Sequence, residues 1–210
     1  EELASALKGK LTSHHRFMLQ TIKSSIQEKE ALIETIDERI YTQLKDNELE
    51  LDLELLQTIP GVSSVSAASI LAEIGNNMEQ FPSEQNLASW AGMAPGNNES
   101  GGKKKNSRTT QGDKYLKTIL TKCGWAATRT KDTYLRSKYE SLVVRLGKRK
   151  ALVAIGHKIL IAAYFILKDK TPYKELGPEY LNNIRKDKKI NRHIKLLKEM
   201  GVEVEIKKIA

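Results

Sequence analysis

From Leu19 onward the apolar positions Leu19, Ile22, Ile26, Ile33, Ile36 and Ile40 follow alternating three- and four-residue steps, with Lys29 at the one seam position that breaks the run. A seam with this interval predicts a heptad helix that pairs with another helix, in this chain or in a second copy. Glu28, Glu30, Glu34, Asp37 and Glu38 occupy the other faces, so the helix is expected to be long, exposed and acidic. The competing reading is a single amphipathic helix packed on a globular body.

Residues 55–71 read as helix, tight turn, helix. Pro60-Gly61 breaks the pattern, and Ser63 or Ser64 can cap the second helix by accepting a backbone N–H bond. The segment resembles a helix-hairpin-helix, a motif whose turn often has a second glycine where Ser63 stands, and whose grip on phosphate uses nearby basic side chains that this neighbourhood lacks. Pro82-Ser83-Glu84 before Leu87, Trp90 and Ala91 predicts a short capped helix. Residues 92–112 hold Gly92, Pro95, Gly96, Asn97, Asn98, Gly101, Gly102 and Gly112 and read as a long turn-rich loop, a kind of segment that is usually functional or disordered.

Asp113 can cap a further helix carrying Tyr115, Leu116, Ile119, Leu120, Cys123 and Ala127. Helical patterns follow over residues 134–146, 151–167 and 179–200, and Val202 to Ile206 alternates like a short strand. The expected fold is mainly α: a long N-terminal coiled-coil-like helix, then a helical domain with the helix-hairpin-helix-like segment. The organisation read from the sequence is a coiled-coil or linker helix over residues 1–50, a main domain over 51–180 and a basic helix and tail over 181–210.

Length and composition narrow the class. A chain of 210 residues can bury a core in one or two domains. Cys123 is the only cysteine, and four scattered histidines give no metal-ligand spacing, which fits a reducing, cytoplasmic setting. No apolar run is read as approaching the roughly 20 residues that cross a bilayer, and no signal peptide is apparent, so no membrane partner is expected. The start at Glu1-Glu2 reads as that of a piece of something longer.

Charge adds a direction. Residues 1–100 carry net −9, residues 101–150 net +12 and residues 151–210 net +6, within a total of +9; no Lys or Arg lies between Asp46 and Ser100. Such segregation suits a polyanion, because each phosphate that is neutralised releases condensed counterions. A merely solvated basic surface is the bland alternative. A purely structural helical adaptor leaves the basic block unexplained.

The most distinctive stretch runs Ala91-Gly92-Met93-Ala94-Pro95, then Ser100-Gly101-Gly102-Lys103-Lys104-Lys105, then Ser107-Arg108-Thr109-Thr110-Gln111-Gly112-Asp113-Lys114-Tyr115-Leu116-Lys117. A serine that attacks a phosphodiester needs exposure, close backbone approach and positive charge. Ser100 has two neighbouring glycines and Lys103, Lys104, Lys105 and Arg108 close in sequence. A serine before Gly-Gly is otherwise a turn hydroxyl. Ser107 is the competing hydroxyl, Glu99 a candidate base or a simple charge balance, and His157 a packed histidine. Tyr115, Trp125, Tyr134 and Tyr139 read as core rather than as stacking platforms, which favours duplex or structured RNA over unstructured single strands.

These phrases resemble the transposase domain of the IS110/IS1111 family (IS116/IS110/IS902 type). There an "A-G-apolar-x-P" phrase leads to a Ser-Gly pair, a basic stretch and a "basic-x-G-(N/D)-x-x-L-basic" helix start; Thr110 replaces the first basic residue of that last phrase. With the hairpin at Pro60 and the helix around Ile155-Gly156-His157-Lys158 followed by Tyr173, the resemblance covers roughly residues 53–180. It implies a DNA transposase with Ser100 as nucleophile and with Gly101, Gly102, Lys103, Lys104, Lys105, Ser107, Arg108, Lys114 and Lys117 toward nucleic acid. It also implies double-stranded DNA and a structured guide RNA as partners, and Mg2+ in an N-terminal RuvC-like domain that is not found in this chain; the heptad seam, for its part, makes a homo-oligomer through the N-terminal helix the expectation. By this reading the chain alone binds nucleic acid and does not cut it. The alternative is a non-catalytic DNA- or RNA-binding module that uses its basic helices for grip.

Overall fold

The long acidic helix starts where a cap allows it: the Thr12 side chain accepts from the His15 backbone N–H and the His15 ring accepts from the Thr12 N–H, each at 3.3 Å, closing both ends of a capping box. The computed structural model describes Ser5, residues 8–9, 11–94, 98–100, 103–106 and 109–201, with residues 98–100 and 103–106 described by backbone alone. In chain order the helices are α1 (Ser13–Asp46), α2 (Glu50–Gln57), α3 (Ser64–Ile74), α4 (Glu84–Trp90), α5 (Lys114–Ala127), α6 (Tyr134–Leu146), α7 (Lys148–Asp169) and α8 (Tyr180–Glu199), with a 3-10 turn at Met78–Gln80. Two short strands, β1 (Asn98–Ser100) and β2 (Lys103–Asn106), lie between α4 and α5. The chain is therefore mainly α, as its periodicity predicts.

The caps read from sequence fall where polar side chains precede apolar runs. Ser63 accepts from the Ser66 N–H at 3.3 Å, Ser83 from the Asn86 N–H at 3.3 Å and Asp113 from the Leu116 N–H at 2.6 Å; each satisfies a backbone donor that the first helical turn leaves open. The tail expected as a strand at Val202 to Ile206 lies outside the described residues.

Contacts divide the chain into two units, Glu1–Leu49 and Glu50–Ala210. In the first, α1 leaves its seam residues Leu19, Ile22, Ile26, Ile33, Ile36 and Ile40 exposed. The second is built around α7, which packs on α2, α4, α5 and α6. Ile155, Ile159, Leu160 and Ala163 of α7 are buried, as are Leu53 and Leu56 of α2, Leu87 of α4, Leu116 and Leu120 of α5, and Leu135 of α6. Each large aliphatic side chain removed from water in this way contributes on the order of 1.5–3 kcal/mol.

Helix α7 corrects one expectation. At 22 residues it is long and apolar enough, by length and composition, to cross a bilayer, although no run of that kind is apparent from the sequence. Half of its most apolar window is buried inside the protein, because a helix surrounded by other helices must be apolar on several sides.

A buried carboxylate ties the first helix of this unit to the end of α7. Asp52 accepts from Asn76 Nδ2 at 3.0 Å and pairs with Lys170 Nζ at 2.5 Å, so its charge is met on both oxygens.

Candidate functional site

Residues 92–112, read as an open loop, begin and end at one point. Gly92 and Gly112 both adopt positive φ, +65° and +50°, and their backbones touch. A methyl group on Gly92 would lie 2.8 Å from the Gln111 and Thr110 carbonyl oxygens, and one on Gly112 would collide with Gly92 and Ala91. Only a residue without Cβ fits both the left-handed backbone and that contact. The glycine of the "A-G-x-x-P" phrase and the glycine of the "x-G-D" phrase are thus the two halves of one closure.

Lys117, from α5, locks it. Its ammonium donates to the Gly92 carbonyl at 3.0 Å, to Thr109 Oγ1 at 2.8 Å and to the Thr110 carbonyl at 3.3 Å. Thr110 Oγ1 donates to the Ser89 carbonyl at 3.4 Å, and the Met93 N–H to the Ala88 carbonyl at 2.9 Å. Lys117, expected to meet nucleic acid, instead spends its three donors on the base of the loop, because the return of residues 109–112 brings carbonyls to it.

Between the two ends in sequence lies an antiparallel strand pair in which Ser100 stands opposite Lys103, Glu99 opposite Lys104 and Asn98 opposite Asn106, with an irregular step between Asn98 and Glu99. Ser100 is the last residue of β1, next to the connecting pair Gly101-Gly102. The site residues Gly101, Gly102, Ser107 and Arg108 lie outside the described residues. Lys103, Lys104 and Lys105 form β2, and Lys114 is exposed in the first turn of α5.

Elsewhere the basic block gathers on α6, α7 and α8. Burial first, then the charges of Lys158, Arg185, Arg145 and Lys188, hold the Lys138 ammonium below the ordinary lysine range. Arg185 donates to Ser141 Oγ at 2.5 Å, linking α8 to α6. Among the described residues none of these five cations forms an ion pair, so the face carries uncompensated positive charge. Burial, then Lys158, also lowers the His157 pKa, which favours the neutral form of this half-buried imidazole.

The turn of the helix-hairpin-helix-like segment is engaged with protein. Gly61, at φ +87°, sits so close to Cys123 and Ala127 of α5 that a Cβ would meet the Ala127 Cα at 2.9 Å, and Ile59 and Val62 beside it are buried. Cys123 is buried under this turn, its thiol pushed up by that burial, so it is a packing residue. Tyr173 donates its backbone N–H to Thr58 Oγ1 at 2.8 Å, and burial followed by Glu175 raises its phenol above the ordinary tyrosine range.

Two aromatic residues are placed differently from the sequence reading. Tyr115 is 72% and Trp125 51% exposed, because the buried side of α5 is taken by Leu116, Leu120, Cys123 and Ala127. Tyr134 and Tyr139 are half-buried. Among the described residues no three His, Cys, Asp or Glu side chains come together in a group that could hold a metal ion.

Comparison with known proteins points the same way as the loop. A family model described as "Transposase IS116/IS110/IS902 family" matches residues 53–140. A "Probable family 20 transposase" of Pseudomonas aeruginosa is 25% identical over 161 residues, 75% of this chain and 46% of that protein. The "Transposase for insertion sequence element IS1111A" of Coxiella burnetii is 26% identical over 176 residues, 82% of this chain and 47% of that protein. A "Pilin gene-inverting protein" of Moraxella lacunata is 29% identical over 130 residues, 60% of this chain and 40% of that protein. The chain spans about half the length of the two transposases it matches.

Proposed function

We propose that the chain, whose residues 53–140 match the IS116/IS110/IS902 transposase family model, belongs to that family and is the DNA-engaging, serine-bearing part of a transposase, with Ser100 as nucleophile. The observation that carries this reading is the closure of the loop. Gly92, Gly112 and Lys117 anchor its base on α5, and within the segment so closed Ser100 ends β1 opposite Lys103. A nucleophile presented on a hairpin with a fixed base keeps its position relative to the body while staying reachable by a large substrate.

In the proposed step Ser100 Oγ gives up its proton and forms a bond to phosphorus, the bond from phosphorus to the leaving deoxyribose oxygen breaks, and that oxygen takes up a proton, so that the step is proton-neutral overall. The serine–phosphate ester then conserves the energy of the broken link for rejoining to a second strand. Lys103 stands opposite Ser100 in the register, with Lys104 following it opposite Glu99, and a lysine there suits the charge that develops on the phosphoryl oxygens. The uncompensated cations of α6, α7 and α8 supply further grip on the DNA backbone. Magnesium belongs, in this proposal, to a RuvC-like domain outside these residues, and no step here passes through it. A structured guide RNA and assembly through α1 complete the proposal; the exposed seam of α1 supports the second.

Covalent trapping tests it. The chain, joined to its metal-dependent domain and given magnesium, substrate DNA and guide RNA, should yield a denaturant-resistant protein–DNA adduct mapped to Ser100 by mass spectrometry, and Ser100→Ala should abolish the adduct while leaving DNA affinity within about twofold. Magnesium-dependent nicking without any adduct would assign cutting to the metal domain and leave this chain a gripping module.

A further inference from the structure

The outer face of α5 combines features that neither the serine chemistry nor the core requires. Tyr115, Thr118, Lys122 and Trp125 follow one another at three- and four-residue steps, which places them on one stripe of the helix, and Arg129 extends the spacing in the turn just past its end. All five are exposed. The Arg129 guanidinium stacks on the Trp125 ring, 3.6 Å from its centroid, which steadies an indole that is otherwise in water. Between Asp113 and Asp132 there is no carboxylate, and among the described residues Lys122 and Arg129 form no ion pair. The stripe begins just past the Gly92–Gly112 closure, so it leads away from the base of the Ser100 loop.

We propose that this face of α5 is a binding strip for unpaired nucleotides, with Tyr115 and Trp125 as stacking platforms and Lys122 and Arg129 as partners of the backbone phosphates. The charge selects a polyanion, and the flat apolar rings between the charges select one whose bases are free to stack. A base-paired duplex hides those faces between its own neighbours and offers phosphates and groove edges instead. From Tyr115 to Trp125 the helix rises about 15 Å, the length of roughly four stacked nucleotides at about 3.4 Å each. Strand exchange separates DNA strands, so the inference rests on the transposase reading for the origin of such a strand. Its chemistry is that of α5 and the turn that follows it alone.

Fluorescence tests it on the full chain. Trp90→Phe leaves Trp125 as the one tryptophan of the protein, and a single-stranded oligonucleotide of about twelve nucleotides should quench its emission. In direct binding, Tyr115→Ala and Trp125→Ala should each weaken the single strand about tenfold and the matching duplex less than twofold. Trp125→Phe, which keeps a ring, should restore most of the loss, and Lys122→Gln should flatten the salt dependence by about one unit of slope. Parent-like melting of each variant shows that these exposed substitutions leave the fold intact.

Absence of quenching together with alanine variants that bind as the parent does would overturn the proposal. So would a Trp125 emission shift that follows protein concentration without any oligonucleotide, because a second copy would then cover the stripe. If the variants are indifferent while the Ser100 adduct forms, the strip fails and the transposase reading stands. If the chain binds no nucleic acid in any form, both fall.

Discussion

Gly112 and Lys117 show how a single residue can serve a site that it never enters. Replacing Gly112 with alanine places a Cβ at φ +50° and into the Gly92 backbone. The left-handed backbone costs about 1–2 kcal/mol and the forced contact about 1–3, so a loss of about 3 kcal/mol is expected in urea unfolding. The same variant should trap less Ser100 adduct, because the hairpin loses its fixed base. Lys117, with its basic position and family motif, invited a phosphate-binding reading, and its three internal hydrogen bonds redirect it. Side-chain charge is legible in a sequence. Whether carbonyl groups come within 3 Å of that charge is decided by how a distant segment returns.

At the scale of elements, α1 and the hairpin differ in how much of them was legible. The seam of α1 has a strong period, and the structure leaves it exposed along a helix of 34 residues. Leu19→Lys together with Ile33→Lys should dissolve the oligomer expected through α1, seen as a fall in mass by light scattering. Unchanged mass would mean that another surface holds the copies together. The hairpin was not legible as strands. Asn98-Glu99-Ser100 and Lys103-Lys104-Lys105-Asn106 contain no β-branched or aromatic residue, and only the intervening Gly-Gly pair carries a hairpin signal. The two segments nonetheless pair, within a stretch whose ends meet at Gly92 and Gly112.

For the molecule as a whole the decisive quantity is the distribution of charge. The net +12 of residues 101–150 is joined by Lys158, Arg185 and Lys188, which gather with Arg145 around the half-buried Lys138. If the chain contacts about six phosphates, its affinity for duplex DNA should fall about a thousandfold between roughly 50 and 200 mM salt. Fluorescence anisotropy at several salt concentrations measures that slope, and a flat response would remove the basis for reading these helices as a DNA grip.

The sequence by itself determined the helices, their caps, the break at Pro60-Gly61 and the residues available for chemistry, because helical period and capping act over four or five residues. Tertiary structure alone decided what lies far apart in the chain and close in space: Gly92 against Gly112, Lys117 turned inward, Asp52 paired with Lys170 across 118 positions, and the face of α5 that keeps Tyr115 and Trp125 in water. A helix can bury only the side that its neighbours cover, and which side that is depends on the packing of the whole domain.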